Sequence, residues 1–267
     1  WNKGSEALYG YSKKEAIGRP VNILHVPEDS ESITSAVISS VEKTGKWSGE
    51  IRMLHKDGFI GWIESMCVPI YDENKQVVGA LGINRDITNR IKEAEHLHYL
   101  AHYDQLTKIP NRLLLLERVN HLITQSNRSK SGFALLYIDL DKFKVINDTK
   151  GHAFGDEVLV EAASRLKQSI RNSDTVARVG GDEFVMILEN VSKKNNVLEM
   201  AEILIKALNK PFIIKNQEIE LSCSIGIAIY PEEGITTDAL LAAADKAMYK
   251  TKQNGREEIK GGQVRYT

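Results

Sequence analysis

Cysteine is scarce in this sequence, which contains only Cys67 and Cys223 among 267 residues. The two lie far apart along the chain, and neither has a partner at metal-ligand spacing, so the sequence supports neither a disulfide framework nor a zinc site. Unpaired, infrequent cysteine is typical of a reducing compartment, and we expect a cytoplasmic protein.

Long apolar runs and an excess of one charge are also missing. No run reaches the roughly 18 apolar residues that cross a bilayer, and no signal-peptide pattern opens the chain. The formal net charge of −1 argues against a global attraction to nucleic acid or to an anionic membrane, so any anion site must be local. Because Trp1 lies inside what resembles a strand, we expect further sequence upstream, which leaves room for a membrane anchor there.

The chain is long enough, with 42% hydrophobic residues, for two globular domains that each bury a core. In residues 1–88 a short helical stretch precedes three strand segments, Glu50–Leu54, Phe59–Ile63 and Val77–Ile83, which are separated by polar turns. This pattern predicts helices packed on an antiparallel sheet.

Residues 89–101 contain no Gly or Pro and are rich in Glu, Lys, His and Leu, which predicts a connecting helix. His98 and His102 stand four residues apart on one face of it, a spacing that can hold a metal ion. No third ligand is evident in the sequence, so two solvated or dimer-facing histidines are the simpler interpretation.

Residues 102–261 show alternating helical and strand patterns. Apolar spacing predicts helices at 113–124, 155–171, 197–208 and 237–252, and strands at 133–139, 175–179, 184–188, 212–214 and 219–230. The fold class predicted for the whole chain is therefore α/β (α+β) in two domains, the second with a central sheet flanked by helices.

Two pairs of carboxylates follow apolar strands in this second domain. One pair, Asp139 and Asp141, ends a strand, and the other, Asp182 and Glu183, follows two glycines in a tight turn between strands. If these strands are neighbours, two carboxylates about 4 Å apart repel by roughly 4 kcal/mol at an effective dielectric constant near 20, which invites a divalent cation. As isolated acids they would instead pair with nearby bases as ordinary surface charge.

Four motifs follow one another in this domain. They are Asp104-Gln105-Leu106-Thr107 with Pro110-Asn111-Arg112, then Ile138 to Asp148, then Gly151-His152 with Gly155-Asp156, and finally Arg178 to Phe184. Together they resemble the GGDEF family of diguanylate cyclases. The resemblance implies a nucleotide-cyclase-like fold and an enzyme that joins two GTP molecules into cyclic di-GMP. Lys108-Ile109 departs from the family, in which a glycine and a leucine are commoner at these positions.

The resemblance implies roles for the matching residues. Asp139, the Leu140 carbonyl and Asp182 would bind Mg²⁺ or Mn²⁺, hard cations that prefer oxygen ligands. Asp182 is the first choice, and Glu183 the second, for the base that accepts the proton of an attacking 3′-hydroxyl, while Lys144 would stabilise charge at the reacting phosphorus.

The resemblance also implies how the substrate is bound. The residues expected to contact GTP are Asn147, His152, Asp156, Lys142, Phe143, Lys144, Lys252 and Arg256. Asn147 and Asp156 would pair the donors and acceptors of guanine, and His152 in the same segment would line the site. The loop 142–144 and the two C-terminal bases would face phosphate, although without the resemblance a basic helix end followed by glycine is simply a good C-cap.

Regulation is implied by two further matches. Arg171 and Asp174 match the inhibitory RxxD site of the family, at which product binds, so we expect product inhibition. Because each domain would hold one GTP, the active form is expected to be a homodimer. Neither a nucleic-acid partner nor a membrane segment in this chain is expected.

Residues 1–88 contain Trp1-Asn2, Leu8 to Tyr11, Glu15 to Pro20, Lys56-Asp57-Gly58 and Arg85 to Thr88. In this order they resemble a PAS domain that lacks its first strand, which implies a sensor that regulates the cyclase. PAS domains bind haem, flavin or metabolites, or only dimerise. Cys67 lies in an apolar strand segment, and His25 and His55 lie in loops, so no cofactor is assigned.

Three alternatives remain open. A GGDEF-like domain can bind GTP or cyclic di-GMP without turnover, but damaged metal or glycine positions are expected in such a module, and both are intact here. A cyclase could form a mixed or adenine product, against which Asp156 argues. A downstream phosphodiesterase domain would make the protein bifunctional, and the sequence up to Thr267 neither supports nor opposes it.

Overall fold

The computed structural model describes residues 1–129, 131–191, 194–254 and 264–266. The chain divides into two compact units, Trp1–His98 and Tyr99–Thr267, and each combines helices with a sheet of its own. The predicted two-domain α/β (α+β) fold class is therefore confirmed. In the described parts of the chain, no helix combines the length and the apolarity that crossing a bilayer requires.

The N-terminal unit is a three-stranded antiparallel sheet preceded by helices. Its elements are α1 (Lys3–Tyr9), α2 (Lys13–Ala16), a 3-10 helix (Val21–Leu24), α3 (Pro27–Thr44), β1 (Trp47–Leu54), β2 (Ile60–Tyr71) and β3 (Val77–Asp86), with strand order β1-β2-β3. The strand expected at Trp1 is wrong, because the Asn2 side chain accepts the Ser5 amide and caps α1 there. Helix α4 (Thr88–His102) follows this sheet.

The C-terminal unit has a five-stranded sheet. Its elements are α5 (Arg112–Ser129), β4 (Gly132–Leu140), α6 (Phe143–Lys150), α7 (His152–Gln168), β5 (Thr175–Gly180), β6 (Glu183–Val191), α8 (Lys194–Leu208), β7 (Phe212–Ile214), β8 (Gln217–Ile219), β9 (Cys223–Tyr230), α9 (Thr237–Asn254) and β10 (Val264–Tyr266). The strand order is β10-β9-β4-β6-β5, and β7 and β8 form a separate hairpin. Strand β4 is central and pairs antiparallel with both neighbours.

Alternate residues of β4 face opposite sides, as the two-residue period of a strand requires. Ala134, Leu136 and Ile138 join a buried cluster with α7 and α8, whereas Phe133 and Leu135 join another with α5 and α9. Because both faces of the sheet are covered, the end of β4 is held firmly in position.

Two local predictions in this unit are wrong. The strand predicted over 219–230 is interrupted between β8 and β9, and the loop expected at 142–144 is the start of α6. Phe143 begins this helix and its side chain is buried in the core, so only its backbone is available to a ligand. Apolar residues favoured the helix over the loop, because Phe143 and Ile146 are both buried beneath it.

Candidate functional site

Three acidic residues lie at one end of the central sheet, where β4 ends and β6 begins. Asp139 on β4 lies directly opposite Glu183 on β6, and the Leu140 amide donates to the Asp182 carbonyl oxygen at 3.3 Å. The turn before these acids contains Gly181 with a φ of 50°, a left-handed conformation that side chains disfavour. We call Asp139, Asp182 and Glu183 the acidic edge.

The electrostatics of the acidic edge centre on Asp139, which is buried. Burial raises the pKa of this carboxyl, and the charges of Asp182 and Asp141 act in the same direction, against a hydrogen bond from Lys252. The Lys252 Nζ lies 2.6 Å from Asp139 Oδ1. The position beside this carboxylate therefore attracts positive charge.

Asp139 and Glu183 of the acidic edge line a cavity of about 300 Å³. Its lining residues are Asp139, Glu183, Asp245, Met248, Tyr249, Lys252 and Gln253. Helix α9 supplies five of these residues and lies close to the sheet, since a methyl group added at Gly226 on β9 would overlap the backbone of Ala244 and Met248. Glycine at this position thus allows α9 to bring Lys252 to the acidic edge.

Asp141 does not join the acidic edge, although it lies only two residues beyond Asp139. Its two carboxylate oxygens accept hydrogen bonds from Ser222 Oγ at 2.9 Å and Ser224 Oγ at 2.8 Å, and its amide donates to the Ser222 carbonyl oxygen. These bonds join the end of β4 to β9. Asp141 therefore fixes the strand end from which Asp139 projects.

Tyr137 and Asp245 are neighbours of the acidic edge that the sequence motifs did not indicate. The Tyr137 hydroxyl donates to Glu183 Oε2 at 3.1 Å. Burial, together with the charge of Glu183, raises the pKa of Tyr137 well above its usual value, so the hydroxyl remains protonated. Asp245 lines both the cavity above and a second one, of about 250 Å³, into which Tyr137 and Arg112 face.

The residues expected at guanine lie on α6 and α7. Asn147 on α6 rests against Gly155 on α7, where a methyl group would overlap its side-chain oxygen. Asp156 follows Gly155 directly and is exposed, as is His152 at the start of α7. The structure therefore brings Asn147 to the helical turn that carries the other two residues.

Lys142 and Lys144 flank the start of α6 and are both exposed. Lys142 adopts a left-handed conformation with a φ of 59° as it leads into the helix. Both ammonium groups lie within five residues of Asp139 along the chain, on the segment that connects the acidic edge to Asn147. The expected phosphate-facing and guanine-facing residues thus share one continuous segment.

Arg178 connects the turn that follows α4 to the turn that carries the acids. Its guanidinium donates to both Asp104 carboxylate oxygens, at 3.1 and 3.3 Å, and to the Gly181 carbonyl oxygen, at 2.8 and 2.9 Å. Burial would raise the pKa of Asp104, but hydrogen bonds from Thr107 and Arg178 outweigh it and hold that pKa below its usual value. A displacement of Asp104 would therefore be transmitted to Gly181.

Arg171 and Asp174 lie in the turn before β5. Asp174 accepts hydrogen bonds from the Arg171 amide at 3.3 Å and from the Glu189 amide at 3.2 Å, while Arg171 is exposed. The carboxylate shapes the turn, and the guanidinium is presented at the surface.

The remaining predicted residues have varied surroundings. Arg256 lies outside the described residues. The Nε2 atom of His102 lies 3.4 Å from Glu117 Oε2. Among the described residues, no group of three or more His, Cys, Asp or Glu side chains is arranged to hold a metal ion by itself. His55 Nδ1 lies 2.7 Å from Asp57 Oδ1 at a turn, and His25 and Cys67 are half-buried.

Both units match known families. The family model described as "Diguanylate cyclase, GGDEF domain" matches residues 101–258, and the model described as "PAS fold" matches residues 1–84. The first match covers more than half of the chain and includes the acidic edge. The predicted similarity to GGDEF and PAS domains is therefore confirmed.

Individual relatives agree with these matches. The chain is 43% identical over 169 residues to the bifunctional diguanylate cyclase/cyclic di-GMP phosphodiesterase MucR of Pseudomonas aeruginosa, covering 63% of this chain. It is 28% identical over 260 residues to the probable diguanylate cyclase DgcE of Escherichia coli, covering 97% of this chain. It spans 24% of the length of each. A solved GGDEF domain of TpbB from P. aeruginosa is 39% identical with a TM-score of 0.58, covering 62% of this chain and 94% of that one.

Proposed function

Because this chain belongs to the GGDEF family of diguanylate cyclases, we propose that it condenses two GTP molecules into cyclic di-GMP and releases pyrophosphate. The observation that carries the proposal is that Asp139 pairs with Glu183 across β4 and β6, with Asp182 bonded to the next residue of β4 through its backbone, and that Lys252 reaches Asp139. Carboxylates and a lysine around one cavity can hold a divalent cation together with a triphosphate.

Asp139, the Leu140 carbonyl and Asp182 would hold Mg²⁺ or Mn²⁺. The donor set fits a hard cation, and a site with so few protein ligands is typical of Mg²⁺ that is shared with substrate phosphates. When bound, the cation neutralises phosphate charge and lowers the pKa of the attacking hydroxyl. Lys252 would exchange its contact with Asp139 for the triphosphate, to which Arg256 is also expected to bind.

Asn147 and Asp156 would select guanine, since an amide and a carboxylate pair its acceptors and donors, and His152 would line the same site. The amides and ammonium groups of residues 142–144 would bind phosphate, with Lys144 stabilising charge at the reacting phosphorus. The α6–α7 segment follows β4 directly in the chain, so these groups and Asp139 belong to one continuous stretch of sequence.

In the reaction, the 3′-oxygen of one GTP bonds to the α-phosphorus of the other, and the bond to the bridging oxygen of pyrophosphate breaks. Asp182 accepts the hydroxyl proton, and Glu183 is the second choice for this role. The step is repeated to close the ring. Because one domain holds one GTP, two copies must face each other, and the active form is a homodimer.

Activity would be regulated in two ways. Cyclic di-GMP would bind at Arg171, whose guanidinium suits phosphate, with Asp174 shaping the turn, and would inhibit the enzyme. The PAS unit would regulate turnover through α4 and the Asp104–Arg178–Gly181 connection, because Arg178 bonds to both turns.

The test is to incubate the whole chain with GTP and Mg²⁺ and to identify products by mass. We expect cyclic di-GMP from the parent and, from Asp182→Ala, a rate at least about a hundredfold lower, because a ligand and base are lost together. Glu232→Ala removes an exposed acid from the same unit and serves as the control, with the parental rate expected.

Equal rates from Asp182→Ala and the parent would refute the metal-site assignment. A parent that binds GTP tightly but forms no product would instead identify a silent binding module, the competing function.

A further inference from the structure

The hydrogen bond between Tyr137 and Glu183 lies beside the acidic edge but outside every motif that the proposed function uses. Tyr137 precedes Asp139 by two residues on β4, so both side chains emerge on the same face of the sheet. Glu183 pairs directly with Asp139 and shares that face. Strand β4 therefore carries both Asp139 and the Tyr137 hydroxyl that bonds to the neighbouring Glu183 carboxylate.

A carboxylate at this position needs a restraint. Asp139 and Glu183 line the same cavity, and Asp245 from α9 adds a third acid to it. Like charges around one cavity repel, and a glutamate with three rotatable bonds can relieve the repulsion by turning its carboxylate to solvent. The Tyr137 hydroxyl opposes this rotation because it donates to Oε2.

The donor itself is well defined. Tyr137 is only partly exposed, and its ring packs against the buried cluster shared by α5 and α9, which fixes the direction of the hydroxyl. Strand β4 is hydrogen-bonded on both sides, so the base of this side chain is also fixed. Positional accuracy of this kind is what an active-site carboxylate requires from its supporting residues.

We propose that Tyr137 is a positioning residue, whose hydroxyl holds the Glu183 carboxylate towards the cation and GTP at the acidic edge. The inference rests on the proposed function, since it assigns a support to the same site. The substitution Tyr137→Phe isolates this role, because it keeps the ring in the core and removes only the donor.

The chain offers a matched control. The Tyr230 hydroxyl, on the neighbouring strand β9, donates to Asn127 Oδ1 at 2.6 Å, and the ring stacks on Phe133. Tyr230→Phe therefore removes the same group from the same sheet at a position away from the acidic edge. The two variants should differ at the site and resemble each other in overall stability.

The experiment measures Mn²⁺ binding by electron paramagnetic resonance with 3′-deoxy-GTP, which lacks the attacking hydroxyl, and in parallel the cyclic di-GMP rate and the thermal midpoint. Tyr137→Phe should weaken Mn²⁺ binding about tenfold, the usual scale for losing a residue that supports a metal site from outside its ligands, and lower the rate by a similar factor. Tyr230→Phe should leave both within twofold. In a Glu183→Ala background, Tyr137→Phe should have no further effect on Mn²⁺.

Parental Mn²⁺ affinity in Tyr137→Phe would overturn the proposal, as would a further tenfold loss in the Glu183→Ala background. A parent that binds Mn²⁺ but makes no cyclic di-GMP would refute the proposed function, while the Mn²⁺ comparison would still decide the role of Tyr137.

Discussion

The two units of this chain are stabilised in different ways. In the N-terminal unit the buried cluster has four members, and exposed or half-exposed ion pairs such as Arg52 with Asp29 and Lys56 with Glu15 join its helices to the sheet region. In the C-terminal unit, buried clusters cover both faces of the sheet, and strand β4 is buried over most of its length. The first unit depends more on surface charge, and the second on close packing.

This difference matches the roles proposed for the units. Carboxylates that share a cation must keep fixed positions, and central strands of a covered sheet provide them. A regulatory unit must change its local structure in response to a signal, which a small core with many exposed bonds permits. Substitutions of the same kind in both units can test whether the contrast holds.

The largest difference is expected for glycine substitutions. Gly226→Ala should lower the free energy of unfolding of the C-terminal unit by about 3 kcal/mol, because the methyl group must push α9 from the sheet. Gly82→Ala on β3 meets nothing closer than 3.9 Å and should change stability by less than about 0.5 kcal/mol. Denaturant unfolding of both variants measures this, and similar losses would show that the units are packed equally tightly.

A smaller difference is expected for two arginines. Arg178→Gln removes charged hydrogen bonds from a side chain that is 14% exposed, and should cost about 2 kcal/mol and about tenfold in cyclic di-GMP rate. Arg52→Gln removes the two hydrogen bonds that a 36% exposed guanidinium donates to the carboxylate oxygens of Asp29. It should cost less stability than Arg178→Gln and leave the rate unchanged. The cyclic di-GMP rates and thermal midpoints of both variants test this difference, and an equal loss of rate in the two variants would contradict the role of Arg178.

The smallest effect is expected for the stability of the N-terminal unit at low pH. Hydrogen bonds from Lys56 and Ser12 lower the pKa of Glu15 from 4.5 to about 2, so Glu15 stabilises the N-terminal unit above pH 4.5, and this contribution is lost as the pH falls towards 2. In Lys56→Met the loss of stability over this range should be shallower. Thermal midpoints of parent and variant between pH 5 and pH 2 measure it, and identical slopes would show that the pair contributes nothing.

Most of the fold could be predicted from the sequence, because apolar residues recur at the period of a helix or of a strand within most elements. Helix α8 and strand β7 end where the apolar spacing ends, and α4 lacks any helix-breaking residue. The strand expected at Trp1 was wrong because a local cap at Asn2 decides that segment. Short turns and caps depend on single hydrogen bonds, which periodicity does not register.

The site was predictable only where a motif existed. The strand end at Asp139 and the turn at Asp182 could be identified, and the resemblance assigned Asp139 rather than Asp141 to the metal, but the bonds that hold Asp141 against β9 could not be predicted. Tyr137 resembled an ordinary core residue, since its alternation on β4 gives the same signal as Leu135. Its contact with Glu183 joins residues 46 positions apart, which no local pattern encodes.

The central claim is that the acidic edge holds a cation that in turn holds GTP. Calorimetric titration of 3′-deoxy-GTP into the parent and into Asp139→Asn, with and without Mg²⁺, tests it most directly, with Glu232→Ala as the control for the loss of one negative charge. We predict that Mg²⁺ tightens binding at least about tenfold, or 1.4 kcal/mol, in the parent and not in Asp139→Asn. Affinity that does not depend on Mg²⁺ in the parent, or full Mg²⁺ dependence in Asp139→Asn, would contradict the claim.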